Sequence, residues 1–331
     1  MIQPLQLGNK LFPVNLIQGP LAGVSCAPFR LLTWRYSQPA FTCTEMISSK
    51  TLIHTLNHDR FTYKDPHEGP VCFQLSANNP QELAEATKIA TARGADLIDL
   101  NCGCPVKKIR SKAAGSRHLS DASKLYQLIQ AMKQNTAVPV SIKIRVDGES
   151  NEIFNHEVAK VVNEAGTDFL VVHGRHWSEH YETPCRHEQI QFFVERLKIP
   201  VIGNGDIRCV DSLRKMLATG CAGVMISRAG VGQPWLIAKL LAEMQQKQFI
   251  TPSWQEIGAT FIEHVRQLAA LLQSEKFAIL QARKFAKYYA RELAEKNNFV
   301  ADINQCESLV DIQNIVAKYF LRTTLTEPAA F

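Results

Sequence analysis

The sequence predicts an α/β protein, an eight-stranded (β/α)8 TIM barrel followed by an all-helical segment. Three observations carry this. From residue 15 to about 245, short apolar runs alternate with amphipathic stretches, and eight such runs fit the barrel period. The runs are nearly continuous in apolar residues, as expected of parallel strands buried on both faces. After about residue 250 no strand pattern recurs.

In chain order, the strands are predicted at NLIQGP (15–20), AFTCTEM (40–46), PVCFQLS (70–76), ADLIDLN (95–101), VPVSIKIR (138–145), DFLVVHG (168–174), IPVIGNGD (199–206) and AGVMISR (222–228). Helical spacing falls between them, at roughly 28–36, 80–93, 121–135, 152–165, 187–197, 209–219 and 233–246. The link 47–69 is less clearly helical. Asn79-Pro80 opens QELAEATKIATARGA with proline in the first turn, and Gly94 stands just past its end. AGTDFL and TGCAGV repeat the same stop-and-start grammar. The rival, a doubly wound open sheet, usually carries GxGxxG after its first strand; GPLAGV lacks that spacing.

Residues 253–331 read only as helices: SWQEIGATFIEHVRQLAALLQ, FAILQARKFAKYYARELAEK and LVDIQNIVAKYF, joined to the barrel through QKQFITPS. The expected division is a catalytic barrel over 1–248 and a helical domain over 249–331.

Composition narrows the class. With 331 residues, 46% hydrophobic and 21% charged, the chain can bury a large core. DFLVV and VPVSI are far too short to span a bilayer. MIQPLQLGNK has no charged segment followed by an apolar stretch, so no secretory signal is expected and a soluble, cytoplasmic protein is. A net charge of +6 permits a polyanionic partner without demanding one. Nine cysteines without a secretion signal read as reduced thiols, and neither CxxC nor HExxH occurs, so no metal site is expected. No protein partner is evident.

Barrel active sites lie at the C-terminal ends of the strands. Here almost every predicted strand ends in a hydrogen-bonding group: Glu45, Gln74, Asn101 and Cys104, Lys143 and Arg145, His173 and Arg175, Asn204 and Asp206, Ser227 and Arg228. Solvated strand ends account for any one of these, but poorly for the set. Glycines cluster on the same rim, and the last two strand ends, GNGD and ISRAG, lie where barrels commonly bind phosphate. Arg228 offers a fork to such a group. A phosphorylated cofactor across the mouth is the expectation, with Gln74 and Lys143 at its polar head. A lysine on the strand itself suits a reduced flavin's charge near N1 and O2, but a Schiff-base lysine and a plain phosphate binder remain open uses.

The order of motifs resembles one family. GPLAGV, TEM at 44–46, Gln74, DLNCGCPVKK, AGS at 114–116, SIKIR, VVHGR, IGNGDI, ISRAGVGQPW and then ARKFAKYY follow the order found in tRNA dihydrouridine synthases, over essentially the whole chain. LQLGNKLFPVN, readable as a hairpin under the barrel, looks most like the bacterial B-type branch. The resemblance implies FMN as cofactor, NADPH as reductant and tRNA as substrate. It also implies that hydride passes to C6 of a uracil while Cys104 protonates C5 from the opposite face. Cys102 is given a packing role.

Residue by residue, the resemblance places Pro20, Leu21 and Ala22 against the flavin through their backbone, and Gln74, Lys143 and His173 around it. Asn204, Gly205, Asp206, Ser227 and Arg228 are placed at the ribityl phosphate. Asn101 and Arg145 fall at the uracil edge, and Lys107 or Lys108 at RNA phosphates. The chain departs from the pattern at Leu21, usually methionine, and at Ser227, usually glycine. It departs again at SRHL after AGS, and at HWSEHYETPCRHEQI after HGR, where Tyr181 keeps an aromatic residue.

In the tail, Ala282, Phe285, Ala286, Tyr289 and Leu293 follow helical spacing and are expected to pack inward. Arg283, Lys287 and Arg291 recur every four residues on another side, with Lys284 nearby. Spacing alone reads as a solvated face; the resemblance makes Arg283, Lys284 and Lys287 a tRNA-binding face. Two alternatives stay open: a small-molecule FMN barrel oxidoreductase, and a catalytically silent tRNA-binding homologue.

Overall fold

The computed structural model describes residues 1–55, 59–148 and 152–321. The chain opens with an antiparallel hairpin, β1 (Leu5–Leu7) and β2 (Lys10–Phe12), in the register Leu5↔Phe12. Its turn runs through Gly8 at φ +55°. Leu5, Leu7 and Phe12 are buried together with Ile17, Phe41 and Phe169 inside the lower barrel, so the hairpin plugs the end away from the strand C-termini.

The barrel wall is parallel and closed. Its eight staves are β3 (Leu16–Gln18), β4 (Thr42–Cys43), β6 (Val71–Ser76), β7 (Leu97–Cys102), β8 (Val140–Arg145), β9 (Phe169–His173), β10 (Val201–Asn204) and β11 (Gly223–Ile226). β11 pairs back onto β3, and β4 bridges β3 to β6. All eight predicted strands are present. The second differs from its predicted span 40–46: it pairs only over Thr42–Cys43, breaks, and resumes as β5 (Ile47–Ser48) beside β6. At the break the Thr44 hydroxyl accepts the Gln74 N–H at 3.1 Å, a side chain standing in for a ladder carbonyl.

Outside the wall pack α1 (Ala27–Ser37), α4 (Pro80–Ala92), α6 (Ala122–Lys133), α7 (Glu152–Glu164), α8 (His187–Arg196), α9 (Val210–Leu217) and α10 (Leu236–Met244). Their starts are locally encoded. Asn79 Oδ1 accepts the N–H of Gln81 at 2.8 Å, and Asp121 accepts that of Lys124 at 2.9 Å. The ambiguous link 47–69 holds β5, α2 (Ser49–His54) and α3 (Asp59–Thr62). One turn, α5 (Lys107–Arg110), follows β7.

The tail holds α11 (Trp254–Leu272), α12 (Glu275–Tyr289), α13 (Lys296–Gln305) and α14 (Leu309–Phe320) around a cluster of Phe261, Phe285, Tyr289, Phe299 and Phe320. The same cluster includes Phe29 of α1 and Trp235 of the loop before α10, which seats the helices on one flank of the barrel. The predicted stretch 277–296 is not one helix. It stops at Tyr289, where Arg291 leaves the helical path and gives its guanidinium to the carbonyls of Tyr288 and Val231. Leu293 is buried as expected, but from the turn beyond. α13 is a further element, and residues 322–331 of the segment 249–331 lie outside the described residues.

Candidate active site

Strand register decides what faces the barrel mouth, because alternate residues of each stave point inward. Gln74 lies beside Asp99, which lies beside Ser141; one level higher, Asn101 lies beside Lys143. His173 is level with both Arg145 and Asn204. These side chains converge on one cavity of about 610 Å3.

Of the predicted residues, Pro20, Leu21, Ala22, Gln74, Asn101, Cys104, Lys143, Arg145, His173, Asn204, Gly205, Asp206, Ser227, Arg228 and Lys287 line this cavity. Lys107, Lys108, Arg283 and Lys284 do not. Lys107 and Lys108 stand exposed on α5 beside it. Lys284 is exposed on α12, and its ammonium would lie 3.7 Å from a Cβ placed on Gly23 of the GPLAGV loop. Arg283 is turned into the helical bundle, where it donates to the carbonyl of Cys306 at 3.0 Å with its Nε buried. The expected basic face of α12 therefore divides: Lys284 and Lys287 look out, while Arg283 and Arg291 hold backbone.

The cavity is strongly cationic. Lys143, Arg145, Arg175, Arg208, Arg228, Lys287, Arg291 and Lys296 line it against the single carboxylate of Asp206. That excess selects an anionic occupant. The Lys143 Nζ donates to the neutral Asn204 Oδ1 at 2.9 Å. Burial, and then the charge of Arg145, pull this ammonium down to about 8. His173 is held far below the ordinary imidazole range by burial and by Lys143, Arg145 and Arg175. It is neutral, and because arginine only donates, its Nε2 accepts from Arg175 at 3.1 Å.

A buried relay links β8, β7 and β6 beside Lys143. The Asp99 carboxylate accepts from Ser141 at 2.6 Å and from Gln74 Nε2 at 2.8 Å. Gln74 Oε1 accepts from Asn101 Nδ2 at 2.8 Å, and Asn101 Oδ1 accepts the amide of Cys104 at 2.9 Å. Burial pushes Asp99 up to about 6, with Ser141, Gln74 and Lys143 pulling the other way. At the end of the relay stands Cys104. Seven of the nine cysteines are buried; only Cys104 and Cys209 are not, and only Cys104 lines the cavity. Its carbonyl is packed so closely that a Cβ on Gly115 would come within 2.7 Å.

Arg175, wholly buried, organises the segment after β9. It takes Thr183 O at 2.5 Å and Tyr181 O at 3.1 Å, and forks onto Asp206 at 2.5 and 2.6 Å. Burial raises the Asp206 carboxyl, but Arg175 and the Cys185 amide outweigh it and hold the group below the usual carboxylate range. Asp206 sits at φ +54°, so this fork also fixes a left-handed turn. Its side chain is committed to Arg175 and the Cys185 amide. Ser227 Oγ accepts from Asn204 Nδ2 at 3.1 Å. The Arg228 guanidinium lies 3.5 Å over the Tyr181 ring.

A family model described as dihydrouridine synthase matches residues 17–324. The chain belongs to the dihydrouridine synthase family. It is 36% identical over 239 residues to a probable tRNA-dihydrouridine synthase 1 of Synechocystis, covering 72% of this chain and 67% of that protein. It is 31% identical over 323 residues to the tRNA-dihydrouridine synthase B of Shewanella oneidensis, covering 96% and 98%. The B-named relatives, that of Pseudomonas putida at 32% among them, support the B-type branch. Among solved structures, morphinone reductase in complex with tetrahydroNAD aligns at a TM-score of 0.54 and 12% identity, covering 77% of this chain and 93% of that one. An old yellow enzyme homologue from Zymomonas mobilis aligns at 0.53 and 11%, covering 75% and 93%. Both show the barrel fold.

Sequence reasoning placed Arg175 at a strand end and Arg291 on the basic side of the tail without assigning either to this cavity, and gave no site role to Asp99, Tyr288 or Lys296. A signal existed for Asp99, which precedes Asn101 by one strand period and so shares its inward face. Arg291 and Lys296 reach the mouth only because α12 stops at Tyr289. Among the described residues no group of three or more His, Cys, Asp or Glu is placed to hold a metal, and no helix is long and apolar enough to cross a membrane.

Proposed function

We propose that this chain reduces uridine in tRNA to 5,6-dihydrouridine with FMN, using NADPH as reductant. The barrel, 1–248, takes the cofactor and the flipped base, and the helical part, 249–331, takes the body of the tRNA. The observation that carries the reading is Cys104, the one cavity-lining thiol, on the loop after β7 and beside the stave whose Lys143 donates to the neutral Asn204.

The residues fit such a cofactor. A cavity of about 610 Å3 with eight cations and one carboxylate suits a phosphorylated, partly anionic ring system. Arg228 and the backbone of Gly205 and Asp206 hold its phosphate, with Asn204 and Ser227 behind them. Gln74, Lys143 and the neutral His173 border its ring, and the backbone of Pro20, Leu21 and Ala22 lies along it. When bound, FMN supplies the hydride for C6 of the uracil. Cys104 gives its thiol proton to C5, and the thiolate so formed is within the field of Arg145. Asn101 and Arg145 orient the base. Asn101 Oδ1 is already taken by the Cys104 amide, so Asn101 reads the base with its remaining N–H, which requires a uracil carbonyl. The base is stacked in folded RNA and must be extruded to reach this depth. Lys107, Lys108, Lys284 and Lys287 rim the opening and meet phosphates.

The test is incubation of the purified, flavin-loaded protein with unmodified tRNA and NADPH, followed by nucleoside mass spectrometry. A uridine heavier by two hydrogens, lost in Cys104→Ala while bound flavin is retained, is expected. A yellow protein that binds tRNA but adds no hydrogens refutes the reading. Turnover in Cys104→Ala equal to wild type removes Cys104 as the acid.

A further inference from the structure

One contact joins two parts of the rim that the mechanism does not use. The Arg110 guanidinium carbon lies 3.1 Å above the centroid of the Trp177 indole. Arg110 ends α5, the turn after Cys104; Trp177 stands in HWSEHYETPCRH, the segment in which this chain departs from its relatives' pattern.

The two sides differ in how firmly they are held. On the Trp177 side, the neighbouring His176 carbonyl accepts from Arg145 at 3.0 Å, and the His176 amide donates to Glu179 at 2.8 Å. Glu179 is pinned by Arg186, and the segment beyond is clamped by Arg175. On the other side, α5 buries no side chain. A turn with so little burial has a low local opening free energy. Backbone bonds and the Asn78 amide on the Lys112 carbonyl at 2.6 Å hold its exit; the tie that reaches the facing segment is Arg110. Besides the indole, this side chain reaches Ser116 Oγ at 3.3 Å, and the Ser116 amide donates to the Cys104 carbonyl at 3.1 Å. A chain of contacts therefore runs from a fixed indole to the segment that carries the thiol.

We propose that Trp177 is a positioning residue, whose stack on Arg110 latches the Cys104 segment against the rim. The proposal gives the divergent segment a purpose, and it rests on Cys104 being the acid of the reaction proposed above. Tryptophan is the strongest aromatic partner for a guanidinium, and the contact is partly shielded from water.

The test reads the segment without the reaction. Full-length protein, as purified, is treated with limiting iodoacetamide, and each cysteine's modification rate is followed by peptide mass spectrometry. Trp177→Ala should raise the Cys104 rate about two- to fivefold, the ratio expected on losing such a contact. Arg110→Gln should do the same, and the two changes together should add little. Trp177→Tyr should restore most of the protection. Cys209, exposed and outside the cavity lining, is the internal standard and should not change. An unchanged Cys104 rate in Trp177→Ala overturns the proposal. So does an equal rise at buried Cys102 and Cys185, which would make Trp177 a support of the fold at large. Neither tRNA nor NADPH enters the assay, so these outcomes stand apart from success or failure of uridine reduction.

Discussion

Asn101 donates its Nδ2–H to Gln74 Oε1 at 2.8 Å, and the polarity of that bond is set one residue further away. Gln74 presents its own Nε2–H to Asp99, and an ionised carboxylate only accepts. Gln74 must therefore turn its carbonyl to Asn101, and Asn101 must turn its carbonyl to the amides of Gly103 and Cys104. One buried carboxylate orients two amides and, through them, the turn that carries the thiol.

Asp99→Asn should separate stability from activity. An asparagine can offer Gln74 either a donor or an acceptor, so the relay loses its single polarity. Uridine reduction should fall roughly tenfold to a hundredfold, the loss expected for about 1.5–3 kcal/mol of a charge-assisted hydrogen bond. The melting temperature near pH 8 should not fall, because the variant no longer buries a charge. Parallel turnover and calorimetry check both halves.

The same group gives stability a pH dependence with a definite sign. Its carboxyl rises from 3.8 unfolded to about 6 folded. Between these values the folded state binds more protons, so this group's contribution is most favourable below pH 4 and is lost as pH rises through 6, by about 3 kcal/mol at 1.36 kcal/mol per unit. Denaturant titrations at pH 4.5 and 7.5 should show that wild type loses stability relative to Asp99→Asn over this interval. Equal curves for the two proteins would show that Asp99 has the same affinity for protons folded and unfolded.

Lys143 behaves in the opposite sense. Its ammonium falls from 10.5 to about 8, so the unliganded protein carries a penalty below pH 8 that is relieved as pH rises from 8 towards 10.5. An anion in the cavity removes the penalty by pairing the charge. Lys143→Met should leave the unliganded protein as stable as wild type or more so at pH 7, and should weaken FMN binding at least tenfold. Wild-type affinity should itself decline above pH 8. Fluorescence titration of the apoprotein with FMN across pH measures both.

Arg175→Lys should cost more than its conservative appearance suggests. A lysine replaces the planar fork by a point charge and cannot serve Thr183 O, Tyr181 O, His173 and both Asp206 oxygens at once. Leaving the Thr183 or Tyr181 carbonyl without its donor costs about 1–3 kcal/mol. The expected result is a lower melting temperature together with loss of flavin, because the left-handed turn at Gly205 and Asp206 is released with it.

The barrel was legible in the sequence because the period of its strands is a property of single residues. Continuous apolar runs, Asn79 before a proline and Gly94 after a helix each act locally, and all eight strands appear within a few residues of where they were expected. Most of the cavity was legible for a related reason: inward positions recur every second residue, and the motifs supplied the rest. What was hidden depends on tertiary contact. Strand two breaks because the Thr44 hydroxyl reaches Gln74, and α12 stops because Arg291 reaches Val231. Trp177 meets Arg110 across a large gap in the chain. No window of the sequence contains both partners of any of these.

The tail shows the difference most plainly, and yields the last prediction. At four-residue spacing Arg283 and Lys287 look like neighbours on one basic stripe, but only Lys287 lines the mouth, while Arg283 bonds the Cys306 carbonyl. Lys287→Ala should therefore weaken tRNA binding and reduce the slope of log affinity against log salt by roughly 0.7–0.9, one phosphate contact, without moving the melting temperature. Lys284→Ala should act likewise from the exposed side beside Gly23. Arg283→Ala should do the reverse, lowering the melting temperature by orphaning a buried carbonyl at about 1–3 kcal/mol while leaving the salt slope unchanged. Binding isotherms at several salt concentrations, run beside thermal melts, distinguish a residue that meets RNA from one that holds the helices together. A reduced salt slope in Arg283→Ala would mean that the guanidinium leaves Cys306 when tRNA binds.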